Sequence, residues 1–279
     1  MKQEFDRLIS LGWKIPPQNE AGLYFVEAIN ENSISFPSAS YDSGAINNEA
    51  SGFWALERAN AIVQMLKPFN VKMLWEIGAG NGNVAIPLRK MGIQVIPVES
   101  LESGAITLAK NGFPTFLATL ESLNLPKNSL DAIGAFDVLE HLENPTDLLK
   151  EVNRILKVGG IFICSVPAYQ WLFSDFDISI GHFRRYSKKS LKNLTDSALL
   201  TTIRIHTLFG FLVIPAFLVR RIPYLIGRKR SFVTVQKSNH YRFGFLSRLD
   251  FIFIFIVKLE KIFRLGFGLS LLSISKKLN

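Results

Sequence analysis

The chain has very little cysteine and nothing that resembles a secretion signal. Cys164 is the single cysteine in 279 residues, so an intramolecular disulfide is excluded and a reducing, cytoplasmic compartment is expected. Cys164 lies in the apolar stretch 161–166, which predicts a small, buried core residue. The first residues lack the basic and apolar regions of a signal peptide. The sequence therefore favours a cytoplasmic protein.

Long apolar runs are also missing. The two most apolar stretches, Leu208–Val219 and Leu249–Val257, are shorter than the ~20 residues that a membrane-spanning helix needs. Arg and Lys flank both runs, which is typical of helices that lie in a membrane interface. The alternative is a pair of apolar helices that pack on the domain or on a second subunit.

Acidic residues are scarce in the last third of the chain. Residues 1–180 hold 13 Lys/Arg against 20 Asp/Glu, a net charge of −7, whereas residues 181–279 hold 19 against 3, a net charge of +16. The whole chain is 48% hydrophobic and 20% charged, which indicates a globular protein with a sizeable core. A basic region rich in Phe, Leu and Ile suggests contact with an anionic membrane surface or with a phosphate-bearing partner.

From residue 71 onward, predicted strands alternate with predicted helices. This order implies βαβ units and an α/β, Rossmann-like, doubly wound and mostly parallel sheet. The sequence 157–160 (K-V-G-G) is interpreted as a helix stop. The predicted strands are 72–77, 94–99, 114–118, 130–136, 160–166, 201–206 and 268–275.

The most informative stretch is 73–82 (M-L-W-E-I-G-A-G-N-G), an apolar strand that ends in Glu76 and a glycine loop. Gly78, Gly80 and Gly82 suit a turn with positive φ and a backbone that approaches a ligand closely. The helix that follows offers free N–H groups to an anionic group. The G-x-G-x-G spacing differs from the G-x-G-x-x-G of nicotinamide and flavin sites.

Further motifs follow in order. Glu99 ends the next strand, 23 residues after Glu76, where a carboxylate suits two ribose hydroxyls. The segments 135–142 (A-F-D-V-L-E-H-L), 157–167 and 181–186 (G-H-F-R-R-Y) come later. Together these motifs resemble the class I S-adenosylmethionine-dependent methyltransferases, and in particular the ubiquinone-biosynthesis type of O-methyltransferase. The resemblance implies a seven-stranded sheet with an antiparallel last strand. The apolar runs in 207–265 then predict a helical hydrophobic insertion before that strand.

The resemblance also implies a set of cofactor-binding residues. Glu76 and the glycine loop would surround the amino-acid end of S-adenosylmethionine, Glu99 would bind the ribose, and the segment after the third strand would face the adenine. At Thr119 the family often has Asp. The full predicted set is Glu76, Gly78, Ala79, Gly80, Gly82, Glu99, Ser100, Thr119, Leu120, Phe136 and Asp137.

Methyl transfer to an oxygen requires an aligned nucleophile and removal of its proton. His141 and His182 are the predicted catalytic residues, since both follow strands at the substrate side of the predicted fold. Arg184, Arg185 and Tyr186 are predicted to bind a phosphate or sugar of the substrate.

A metal site is a further expectation. If residues 137–141 form a helical turn, Asp137, Glu140 and His141 share one face and, together with His182, offer ligands that suit Mg²⁺ or Mn²⁺. This spacing resembles the metal site of ubiquinone-biosynthesis and small-RNA 2′-O-methyltransferases. The alternative is that Asp137 lines the cofactor pocket and no metal binds.

The sequence divides into four predicted regions. They are an N-terminal helical cap (1–70), a methyltransferase core (71–206), a basic apolar insertion (207–265) and a final strand (266–279). Tyr41, Trp54 and Arg58 in the cap are candidates to cover the cofactor.

Three functions remain open. The first is O-methylation of a lipid-linked glycan, a quinone precursor or a similar small amphipathic substrate, by an enzyme that is peripheral on the inner face of the membrane. The second is RNA methylation, which the absence of an aromatic RNA-binding motif disfavours. The third is a non-catalytic membrane-binding module that retains the fold.

Overall fold

The computed structural model describes residues 1–20, 22–26, 53–227 and 266–279. The predictions for Tyr41, for the apolar run 249–257 and for most of the insertion lie outside these ranges.

A single mixed sheet forms the centre of the molecule, with the strand order β1-β4-β3-β2-β5-β6-β8-β7. The strands are β1 (Tyr24–Phe25), β2 (Met73–Ile77), β3 (Gln94–Glu99), β4 (Phe116–Leu117), β5 (Leu130–Phe136), β6 (Leu156–Pro167), β7 (Leu200–Leu208) and β8 (Ser270–Lys277).

Helices surround the sheet. They are α1 (Lys2–Ser10), α2 (Phe53–Leu66), α3 (Ala85–Lys90), α4 (Glu102–Lys110), α5 (Pro145–Ile155), α6 (Asp175–Ser179), α7 (Lys188–Ser197), α8 (Val213–Ala216) and α9 (Ile222–Leu225). Four 3₁₀ turns, at Lys67–Phe69, Leu139–His141, Gln170–Leu172 and Gly210–Leu212, and a π-helical turn at Phe217–Arg221 complete the described helical structure.

The predicted topology is confirmed. Strands β4, β3, β2, β5 and β6 are parallel neighbours, and β8 lies between β6 and β7 and is antiparallel to both. The sheet has eight strands in the described ranges, and not the expected seven. The additional strand β1 pairs in parallel with β4, where the Tyr24 and Phe116 rings stack at 4.8 Å. A two-residue strand has no periodic pattern, so the sequence did not reveal it.

The predicted helix stop at 157–160 is wrong in detail. Helix α5 already ends at Ile155, and residues 156–160 belong to β6, with Gly159 at φ 85°. The strand therefore starts four residues earlier than its apolar pattern suggested.

Both faces of the sheet are covered. Leu74 and Trp75, which are adjacent in β2, belong to two different core clusters because successive strand residues point to opposite faces. On one face, Phe5 and Trp13 from the N-terminal segment pack against Trp75. Burial on both sides explains why the strands read as continuous apolar runs.

The first apolar run of the insertion is helical from Gly210 onward. The 3₁₀ turn, α8, the π-helical turn and α9 follow each other without a break between Gly210 and Leu225. Among the described residues, no helix is both long enough and apolar enough to cross a membrane.

Candidate functional site

The glycine loop lies at the carboxyl end of β2. Gly78, Gly80 and Gly82 have φ values of 63°, 56° and 85°, in the region that favours glycine. A Cβ atom on Gly78 would lie 2.7 Å from Cγ2 of Val138, so the loop sits directly against the segment that follows β5. The loop and the predicted catalytic segment are therefore neighbours.

Glu99 ties the glycine loop to the end of β3. One carboxylate oxygen accepts a hydrogen bond from the Gly80 N–H at 2.6 Å, and the other accepts one from the Leu101 N–H at 2.8 Å. Burial raises the pKa of Glu99, and the two backbone hydrogen bonds oppose that rise. The structure thus places Glu99 beside the loop, as the cofactor prediction requires.

Glu76 is buried at the end of β2 with an uncompensated oxygen. Its Oε2 atom has no hydrogen-bond partner within the described ranges. Burial, together with the nearby charge of Glu99, raises its pKa to about 8, although Arg58 acts in the opposite direction. A buried carboxylate oxygen without a partner fits a cationic group such as the ammonium of an amino acid. The residues present therefore fit S-adenosylmethionine.

The predicted adenine contacts are less direct. Thr119 and Ser122 bond to each other, since the Ser122 N–H donates to Thr119 Oγ1 at 3.3 Å and the Thr119 N–H donates to Ser122 Oγ at 3.1 Å. Leu120 is buried in the core with 1% exposure. Adenine binding by this segment stays a prediction.

Asp137 follows β5, next to the Val138 that abuts the glycine loop, and has a positive φ of 55°. Its Oδ1 accepts a hydrogen bond from Ser165 Oγ at 2.9 Å, and its Oδ2 pairs with Nη1 of Arg58 at 2.5 Å. Burial favours a higher pKa for Asp137, but Arg58 and Ser165 outweigh it and hold the pKa below its usual value. Arg58 thus connects helix α2 to the site.

Three of the four predicted metal ligands come together. One ligand atom each of Glu140, His141 and His182 lies within 4.8 Å of the others, and the two imidazole rings are 4.6 Å apart. Asp137 is not in this group, and it pairs with Arg58 instead. The expected helical turn over 137–141 is wrong, because the 3₁₀ turn begins at Leu139.

Glu140 is the most unusual member of the cluster. It is fully buried, and neither carboxylate oxygen has a hydrogen-bond partner among the described residues. His182 Nε2 lies 3.9 Å from Glu140 Oε1. Burial, reinforced by the charge of Asp137, holds the pKa of Glu140 well above its usual value. Ionised Glu140 therefore requires a cation beside it.

Asp177, which none of the sequence motifs singled out, orients His182. Its Oδ1 accepts hydrogen bonds from His182 Nδ1 at 2.9 Å and from Arg185 Nε at 2.7 Å. Since an ionised carboxylate only accepts, Nδ1 carries the proton and Nε2 is directed towards Glu140. The pattern Ser174-x-x-Asp177, a capping box at the start of α6, was the available sequence signal.

The predicted substrate-binding trio consists of two buried residues and one partly exposed residue. Arg185 is buried and bonded to Asp177, and Tyr186 is buried with its hydroxyl donated to the Leu139 carbonyl at 3.0 Å. Both side chains are therefore engaged within the domain, and substrate contact by them stays a prediction. Arg184 donates to the Glu143 carbonyl at 2.8 Å, and substrate contact by Arg184 stays a prediction.

Two of the cap residues that were predicted to cover the cofactor, Trp54 and Arg58, have different surroundings. The Trp54 ring stacks on Phe209 at 3.6 Å, so Trp54 is a packing residue at the start of the insertion. Arg58 reaches the site through Asp137.

Comparison with known proteins shows what part of the chain is similar to methyltransferases. Residues 75–164 match the family model described as a methyltransferase domain. The ubiquinone biosynthesis O-methyltransferase of Roseobacter denitrificans is 27% identical over 105 residues, which cover 36% of this chain and 42% of that protein. The enzyme of the same name from Cereibacter sphaeroides is 31% identical over 107 residues, 35% of this chain and 42% of that protein.

The alignments span less than half the length of these curated relatives. A solved S-adenosylmethionine-dependent methyltransferase from Thermotoga maritima superimposes with a TM-score of 0.52 at 20% identity, over 83% of this chain and 95% of that one. Residues 75–164 are therefore similar to a methyltransferase domain, and the described chain shares the fold of a solved S-adenosylmethionine-dependent methyltransferase.

Proposed function

We propose that the protein transfers a methyl group from S-adenosylmethionine to a hydroxyl oxygen of an amphipathic acceptor at a membrane surface. The observation that carries this proposal is the Asp177–His182 pair, which leaves Nε2 of the imidazole directed towards Glu140, in the segment whose Val138 abuts the glycine loop. Lipid-linked glycans and quinone precursors are the acceptor classes, and the names of the curated relatives favour the second.

The cofactor would be held by residues of two strand ends. Glu76 would pair with the ammonium of its amino-acid end, and Glu99 would accept hydrogen bonds from its ribose. When bound, S-adenosylmethionine supplies an electrophilic methyl group on a sulfonium. The half-buried Arg58–Asp137 pair would fix the wall between the glycine loop and the histidine cluster.

On the acceptor side, His182 Nε2 would take the proton of the acceptor hydroxyl as its oxygen becomes a nucleophile. The carboxylate of Asp177 would stabilise the resulting imidazolium, as the acid does in other Asp–His pairs. Arg185 keeps Asp177 ionised, since it donates to the same oxygen. The His141 ring lies 4.6 Å from the His182 ring, and its Nδ1 is hydrogen-bonded to the Gly181 carbonyl at 3.2 Å.

A second use of the same atoms is a divalent cation held by Glu140, His141 and His182. The support is the mutual spacing of these ligand atoms and the two partnerless oxygens of Glu140. Two imidazoles and one carboxylate would leave coordination positions open for an acceptor oxygen. Such a cation would lower the pKa of the acceptor hydroxyl, and His182 would then act as a ligand and not as the base.

The function is tested by methyl transfer from labelled S-adenosylmethionine to lipid, glycan and RNA fractions. We expect the label in a lipid or quinol product, as a methyl ether. The His182→Gln variant should lose this labelling and still bind S-adenosylmethionine. Label found only in RNA would contradict the proposal.

Chelation separates the two uses of the histidine cluster. If a cation is resident, chelator-treated protein should lose activity and regain it with Mg²⁺ or Mn²⁺, and the metal content should fall in Glu140→Gln. Full activity after chelation would contradict a resident cation and would support His182 as the proton acceptor.

A further inference from the structure

The helical segment 210–226 has one face that packs on the domain. The Phe217 ring meets the Trp171 ring at 5.8 Å, the Arg220 guanidinium lies 3.9 Å from the centroid of Phe176, and Arg221 donates to the Phe173 carbonyl at 2.5 Å. These contacts attach the segment to the loop between β6 and α7, which also carries Asp177 and His182.

The opposite face is an exposed aliphatic stripe. Its members recur every three or four residues, apart from one adjacent pair at the end, so they share one side of the helix. The side chains and their exposures are Ile214 (66%), Leu218 (54%), Ile222 (36%), Leu225 (59%) and Ile226 (64%). Soluble proteins rarely expose a contiguous apolar surface of this kind without a partner.

The charge around this stripe indicates the partner. The sequence 197–249 contains no Asp or Glu and nine Lys/Arg. Arg220 and Arg221 already contact the domain, which leaves seven others as cations for a partner. An aliphatic stripe in a region with cations alone matches the interface of an anionic bilayer, where apolar side chains enter the acyl boundary and cations meet the headgroups. A protein groove of matching shape would have to supply an acidic rim as well.

We propose that the aliphatic stripe (Ile214, Leu218, Ile222, Leu225 and Ile226) inserts into the interface of an anionic membrane. The loop that presents His182 would then lie next to lipid, because the packed face of the same segment holds that loop. This deepens the proposed function by naming the surface on which an amphipathic acceptor is met, but membrane binding does not require that methyl transfer occurs.

The test is co-sedimentation of the full chain with phosphatidylglycerol-containing vesicles and with pure phosphatidylcholine vesicles. The variant Ile214→Gln/Leu218→Gln/Ile226→Gln keeps helix-compatible residues and removes the apolar surface. The control Val158→Gln/Ile203→Gln changes two exposed aliphatic side chains outside the stripe, with exposures of 63% and 48%. S-adenosylmethionine binding by each variant reports whether the fold is intact, and the single variant Leu218→Gln serves if the triple variant does not fold.

The wild-type chain should bind the anionic vesicles in a salt-sensitive manner and the neutral ones weakly. The triple variant should bind the anionic vesicles at least about tenfold more weakly, and the control should match the wild type. Equal binding by the triple variant, equal binding to neutral vesicles, or binding to RNA in place of vesicles would overturn the proposal. Loss of methyl transfer with intact vesicle binding would count against the proposed function alone.

Discussion

Asp177 accepts a hydrogen bond from Nδ1 of His182 at 2.9 Å, and the same carboxylate oxygen accepts one from Arg185. This relationship fixes the tautomer of His182 and points its other nitrogen towards Glu140. The pKa of Asp177 lies below its usual value, because these two partners outweigh the effect of burial, and the acceptor role is therefore kept at neutral pH.

We expect Asp177→Asn to reduce kcat by about 10²–10⁴-fold, because an amide can donate to Nδ1 and reverse the tautomer. The dissociation constant for S-adenosylmethionine should change little. The readouts are steady-state kinetics and calorimetry, with Asp175→Asn on the same helix as the matched control. A kcat equal to that of the wild type would remove Asp177 from the mechanism.

Glu76 makes stability depend on pH. Its folded pKa of about 8 lies above the value of an unfolded carboxyl, so the folded state binds more protons between pH 4.5 and 8 and the free energy of unfolding falls as pH rises through this window. Each unit of pKa shift corresponds to about 1.4 kcal/mol.

Glu76→Gln should therefore be more stable than the wild type near pH 8, and this advantage should shrink as pH is lowered towards 5. The variant should bind S-adenosylmethionine more weakly, since it lacks the anion for the ammonium. Urea unfolding at several pH values checks this, with the exposed Glu121→Gln as the control. A pH-independent difference between Glu76→Gln and wild type would show that Glu76 does not titrate as described.

The contact between Gly78 and Val138 should be sensitive to one methyl group. Gly78→Ala adds a Cβ atom 2.7 Å from Val138 Cγ2, and it also places alanine at positive φ. Gly92→Ala has the same backbone problem at φ 88° but meets nothing within 4 Å, so it measures the strain alone, about 1–2 kcal/mol.

We expect Gly78→Ala to lose more stability than Gly92→Ala, and Val138→Ala in the Gly78→Ala background to recover part of the difference. Thermal unfolding of the four proteins checks this. Equal losses at the two glycines would mean that the loop relaxes and does not press on the segment after β5.

The Arg58–Asp137 pair should be energetically coupled. Its side chains are 11% and 35% exposed, whereas the surface pair Lys150–Asp147 is 67% and 65% exposed. A double-mutant cycle with Arg58→Met and Asp137→Asn should give a coupling energy above about 1 kcal/mol. The surface pair should give less than about 0.5 kcal/mol. Similar coupling energies in both pairs would contradict a role for Arg58 in holding helix α2 to the site.

Local patterns made the sheet and the glycine loop predictable. Apolar runs flanked by glycines marked the strands, and Glu99 followed from its place at a strand end. The partners of charged groups were not predictable, because Arg58 meets Asp137 across 79 residues and only through the packing of α2. In the sequence, Asp177 is one of several acids near a helix start. Its burial and its contact with His182 depend on tertiary packing, which the local pattern does not encode.

The central claim is that the loop at the end of β2 binds S-adenosylmethionine with help from Glu99. Calorimetric titration of the full chain with S-adenosylmethionine tests it most directly, beside Glu99→Ala and the neighbouring control Glu102→Ala. Saturable binding by wild type and Glu102→Ala, weakened at least about tenfold in Glu99→Ala, is the predicted result. No binding by the wild type, or equal binding by all three proteins, would contradict the claim.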